Sequence, residues 1–181
     1  MHKLIYISNR IDDLNKLMAI IARWAVLLML ILGFWNVIGR YVGVSVGLNL
    51  SSNKFIESQW YLFDVIFLLG LGHTLKEQKH VRVDVLQGYI KEDLKIKLEI
   101  LGTILLLSPF AIGVMAISIE PTIHSWFIGE TSPDPNGLAR YWVRSLIPLG
   151  FLLLSLQSIS ELIKSISRLR KNSLNNQIRE K

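Results

Sequence analysis

Two carboxylates stand where carboxylates are expensive. Glu57 and Asp64 lie in an otherwise apolar stretch, with Trp60 between them and Leu71 beyond, at intervals close to 3.6 residues. That spacing places all four on one face of a helix. A charge in hydrocarbon costs several kcal/mol and needs a reason. Such a face can conduct protons or cations, or it can pair with cations on a neighbouring helix or a partner subunit. Arg144 and Arg23 are the available mates, giving the expected pairs Glu57–Arg144 and Asp64–Arg23. The pairing role is favoured, because a coupled carrier needs more polar residues at mid-depth than this chain offers. The four histidines, His2, His73, His80 and His124, do not form the matched pair that a membrane haem requires. There is no cysteine, which excludes disulfides, thiolate metal sites and iron–sulfur clusters. No zinc-protease, phosphate-loop or nucleophile-elbow motif occurs.

The elements that carry these residues follow from hydropathy. Of 181 residues, 51% are hydrophobic and only 19% charged, more apolar material than one soluble core can hold. It falls into four blocks, about residues 17–38, 55–75, 98–119 and 143–163. Each has the ~20 residues needed to cross ~30 Å of hydrocarbon as a helix. The expected fold is therefore an all-α integral membrane protein with four transmembrane helices. A cytoplasmic segment 1–16 precedes them and a basic tail 164–181 follows. Fifteen of the twenty Lys and Arg residues lie in the N-terminal segment, the 76–97 loop and the C-terminal tail. By the positive-inside rule both termini and that loop are cytoplasmic. The net charge of +6 thus records topology, and its division among separate loops argues against nucleic acid as a partner.

The connections differ in kind. Alternation of Val and Leu with Gly, Ser and Asn over Val42–Leu50 suggests an extended piece, or equally a loose loop. His80–Ile90 passes from alternation to helical spacing with basic residues opposite, the pattern of an interfacial amphipathic helix between the second and third spans. The segment Glu120–Trp142 is rich in Pro and Gly and carries Glu120, Glu130 and Asp134, an ordered acidic loop. The last ten residues read as a disordered tail. Trp35, Trp60, Trp126 and Trp142 form an outer aromatic belt. Gly70, Gly72, Gly102, Gly113, Ser155 and Ser158 would allow close helix packing, and Pro109 implies a kink.

With these residues in place, a resemblance emerges. Glu57-Ser-Gln-Trp60-Tyr-Leu, then Lys79-His80-Val81-Arg82-Val83-Asp84, resembles the small, DctQ-like membrane subunit of tripartite ATP-independent periplasmic (TRAP) transporters. So does Gly129-Glu130-Thr131-Ser132 followed by Trp142 and Leu146-Ile147-Pro148-Leu149-Gly150-Phe151. The likeness spans roughly residues 20 to 163. It implies a scaffold and docking subunit, not an enzyme, in a bacterial cytoplasmic membrane. Its partners would be a large multi-span permease subunit, a periplasmic solute-binding protein that delivers an organic acid, and membrane lipids. It implies no cofactor on this subunit, with the sodium gradient acting through the large one. Glu57, Trp60, His80, Arg82 and Asp84 match the family motifs and carry structural or interface roles; Asp64, Glu130, Trp142 and Arg144 join them from the residue-level reading. The rival readings are a self-sufficient proton-coupled carrier using Asp64 and a membrane anchor for a redox enzyme.

Overall fold

The computed structural model describes residues 2–48, 50–77, 92–135 and 137–179. Six helices account for nearly all of it: α1 (His2–Val46), α2 (Asn53–Lys76), α3 (Glu92–Gly102), α4 (Ser108–Ile128), α5 (Tyr141–Arg144) and α6 (Leu146–Arg179). A π-helical turn at Thr103–Leu107 joins α3 to α4. Four stretches are long and apolar enough to cross a membrane: Lys3–Val46, Asn53–Lys76, Asp93–Ile128 and Tyr141–Arg170. The chain is a multi-pass membrane protein. The expected interfacial helix at 80–90, with His80, Arg82 and Asp84, lies outside the described residues.

The helices overrun the spans read from hydropathy. At 1.5 Å per residue the 45-residue α1 is about 67 Å long, roughly twice the hydrocarbon thickness. Val42–Leu50 is mostly not extended, since α1 continues to Val46 before Gly47 turns the chain with a φ of 74°. The alternation misleads because Gly39 and Gly43 share the helix face onto which the chain folds back. Leu48 N–H donates to Gly43 O at 3.0 Å, and a Cβ at Gly39 would stand 2.8 Å from Leu50 O. Helix α4 likewise runs through Pro121 to Ile128, so the loop begins at Gly129 rather than Glu120. Hydroxyls of Ser118 and Thr122 bond the Met115 and Ser118 carbonyls beside Pro121. The kink implied by Pro109 takes the form of the π-helical turn just before it, where the widened ring relieves the proline's clash with the preceding turn. The C-terminal decade is also helical, through Arg179.

The burial pattern is inverted relative to a soluble bundle. Among the largest fully buried side chains are Gln157, Glu57, Asn15 and five serines. Trp24, Ile31 and Phe34 are 68%, 64% and 70% exposed. Lipid tails are as apolar as leucine, so helices gain little by hiding leucines and associate through small and polar residues instead. On α1 that stripe is Asn15, Ala19, Ala22, Gly33, Asn36 and Gly39, spaced at three to four except between Ala22 and Gly33, and it meets α2. Gly72 of α2 lies so close to Asn15 that a Cβ there would collide with the amide. Gly150 of α6 lies against Leu68, with an ideal Cβ 2.8 Å from the Leu68 carbonyl oxygen. Ser155 and Ser158 are buried as expected, whereas Gly70, Gly102 and Gly113 have open space where a side chain would sit and play no such part. Helix α6 is the hub, packing on α1, α2, α3 and α4.

Candidate functional site: a clamped loop at one end of the bundle

The start of α1 packs beside the middle of α6 at one end of the bundle, the terminal end, and the α4–α5 loop lies at the other, the loop end. At the loop end, Gly129 caps α4 in the left-handed conformation with φ 59° and reverses the chain. The following residues form a tight hairpin. Thr131 and Ala139 make an isolated antiparallel bridge, and Ser132 N–H donates to Leu138 O at 2.9 Å. Gly137 is needed where the strands close, since a Cβ there would come within 2.5 Å of the Ser132 side chain. Arg140 N–H donates to Glu130 O at 2.8 Å, and Glu130 N–H to Ser125 O at 3.0 Å, so the hairpin grows directly out of α4.

Helix α2 holds this hairpin down. Glu57, 1% exposed, accepts the Leu138 N–H on Oε2 at 2.6 Å. Tyr61, one turn deeper and buried, donates its hydroxyl to Leu138 O at 3.3 Å. The two peptide units that flank the Leu138 Cα are therefore gripped by adjacent turns of one helix. Tyr61 also meets Trp142 edge-on, with ring centroids 5.3 Å apart. A backbone N–H to carboxylate bond is charge-assisted and stronger than a neutral one. Glu57 thus fixes loop conformation and does not pair with Arg144.

Arg144 is instead bonded to Glu130 at 3.0 Å, with Arg140 at 4.0 Å from the same oxygen. The Glu130 side chain is only 18% exposed, so this charge ties the hairpin to α5 and is largely used up inside the chain. Asp64 does not meet Arg23; among the described residues neither a hydrogen bond nor an ion pair engages it. It shares a cavity of about 200 Å³ with Arg140 and Arg144. The acid partners were misassigned because helical spacing says which face a residue occupies, but not which loop folds onto it. Trp60 and Trp142 are exposed on this rim, and Trp126 donates its indole N–H to Ser145 Oγ at 2.7 Å.

The hairpin brings together two motifs about seventy residues apart, Glu57-Ser-Gln-Trp60 and Gly129-Glu130-Thr131-Ser132. A family model for the DctQ component of tripartite ATP-independent periplasmic transporters matches residues 16–168. The chain belongs to the DctQ family. It is a component of a transporter and not an enzyme. No curated relative and no solved structure matches it. In this DctQ subunit the match takes in the whole loop-end clamp.

The terminal end holds a second polar cluster, which sequence reading passed over. Asp12 accepts from Lys164 Nζ at 2.6 Å, Ser160 Oγ at 2.8 Å and Gln157 Nε2 at 3.0 Å. Asn15 Nδ2 donates to Gln157 Oε1 at 2.8 Å, and the Ser8 and Ser160 hydroxyls lie 2.7 Å apart. The signal was present: Ser8, Asp12 and Asn15 recur at helical spacing, as do Gln157, Ser160 or Glu161, and Lys164. Arg140 and Tyr61 were also missed, the first counted only as a loop charge, the second given no role of its own.

Proposed function

We propose that the chain is the small permease subunit of a TRAP transporter in a bacterial inner membrane. It supports sodium-driven uptake of an organic acid delivered by a periplasmic binding protein. The observation that carries this reading is the clamp of Glu57 and Tyr61 on Leu138, which gives the α4–α5 loop a fixed shape at the loop end. A loop of fixed shape loses little entropy on association, which suits repeated docking of a soluble partner. The excess of Lys and Arg near the termini supports orienting that loop towards the periplasm. Because Glu130 is engaged by Arg144, the acidic side chain of the hairpin left to a docking partner is Asp134.

The scaffold role rests on what the bundle contains: interhelical glue, a clamped loop and one half-buried carboxylate. The subunit enlarges the fixed part of the transporter, while substrate and sodium pass through the large subunit. Reconstitution tests this. Liposomes holding both membrane subunits, with the binding protein and a sodium gradient, should take up the acid. Liposomes with this chain alone should not. Uptake by the chain alone, lost in Asp64→Asn, would replace the proposal with a self-sufficient carrier.

A further inference from the structure

Helices α2 and α4 flank α6 and leave a groove between them. On its α4 side is a cavity of about 450 Å³ bordered by Ile117 and Pro121. On its α2 side is the smaller cavity of about 200 Å³ that holds Asp64 and Arg140. The two adjoin, sharing Arg144 of α5 and Ile147 of α6. Asp64 lies seven residues below Glu57, about 10 Å deeper along α2. It is half-buried, and among the described residues no donor is bonded to it.

The outward face of α1 differs in every respect. Between Arg23 and Arg40 it bears no charge, and Trp24, Ile31 and Phe34 project outward as a continuous apolar surface. Lipid tails can cover α1 at no cost. They cannot solvate a carboxylate at the depth of Asp64, where an unpaired charge costs several kcal/mol. The Asp64 face therefore calls for a protein cover. The stretch Asp93–Ile128 has the smallest buried share of the four spans, 6%, so most of its surface is open to a neighbour.

We infer that the groove between α2 and α4 seats a membrane helix of the large permease subunit, which presents a basic or hydrogen-bond-donating side chain to Asp64. This rests on the subunit reading above and adds to it the face and the chemistry of contact. The charge sets the occupant: both guanidiniums of the cavity are turned to Glu130, Arg144 at 3.0 Å and Arg140 at 4.0 Å, so Asp64 keeps an open acceptor that selects a donor rather than another acid.

The test uses the complex from co-expressed subunits, this chain tagged. A photocrosslinking residue at position 117 should join it to the large subunit, and one at position 31 should not. Asp64→Ala should lower the co-purified large subunit about tenfold, as expected on losing one partner of a buried charged contact. Asp64→Asn, still able to accept a hydrogen bond, should retain part of the association. Both variants should leave the tagged chain in the membrane at normal level. Crosslinking from position 31 with position 117 silent, or unchanged co-purification by Asp64→Ala, would overturn the assignment of this face. Failure of the unaltered chain to hold any large subunit would remove the subunit reading itself, and the face with it.

Discussion

The two ends of the bundle are both polar and both largely buried, yet they are built on different logic. At the loop end, side chains bond to backbone: Glu57 and Tyr61 grip the main chain at Leu138. At the terminal end, side chains bond to side chains across two long helices: Asp12, Asn15 and Ser8 on α1 to Gln157, Ser160 and Lys164 on α6. The first arrangement dictates the shape of a loop and leaves the helices to other contacts. The second dictates how far one helix slides along another, since a shift of one residue would break every bond in the seam. A polar residue in a membrane bundle can therefore set conformation or register, and the identity of its partner tells which.

That contrast can be broken most severely at the terminal end. Gly72→Val should force α2 away from Asn15, which is itself held by Gln157, and the subunit should fail to accumulate as a folded bundle in detergent. Size-exclusion profiles would show it, and a normal monodisperse peak would mean that the seam is not a tight joint. Gln157→Leu should be next, lowering stability by about 2–3 kcal/mol, because it removes a neutral hydrogen bond to Asn15 and a charge-assisted one to Asp12. Thermal melting of the purified subunit would register that loss, while protease cleavage within 129–140 stays at its normal rate.

Glu57→Gln should do the reverse. Its cost is about 1–2 kcal/mol, since a neutral amide oxygen replaces a charged acceptor. The effect should appear as faster amide exchange at Leu138 with little change in melting temperature. Glu57 and Gln157 are separated by most of the height of the bundle, so the double variant should show the sum of the single effects. A coupling above ~0.5 kcal/mol would mean that the two ends are one network. The smallest effect belongs to Arg144→Ala. Its pair with Glu130 is 37% exposed on the arginine side, and such pairs contribute roughly 0–1 kcal/mol.

How much of this was open to reading from residues alone follows from which physical constraint each feature obeys. Bilayer thickness imposes ~20 apolar residues per crossing, so the four spans are visible in hydropathy. Helix ends are not, because once outside the hydrocarbon the chain continues on polar seam contacts that hydropathy scores as loop. Asp12, Gln157 and Lys164 are the case in point. Glu57 was recognisable as a residue that must have a partner, but its partner is a main-chain N–H 81 positions away in sequence, and main-chain donors carry no residue signature. The same reason made Arg144 look like its mate. Pro121 read as a loop marker, since proline removes a helix donor, yet α4 continues through it to Ile128.

Helix α6 is the common neighbour of the other long helices, and it is the last to be synthesised. The α1–α2 hairpin has its own interface and can close as soon as both segments are in the bilayer. The α3–α4 rod has no such option, since its extensive packing is with α6 and the short α5 that leads into it. It must wait in the lipid as a lone span until the final helix arrives. Assembly is thereby made vectorial: a nascent chain cut short before residue 146 would hold a hairpin and an orphan. Only completion of the chain converts them into one body with a shaped loop to offer.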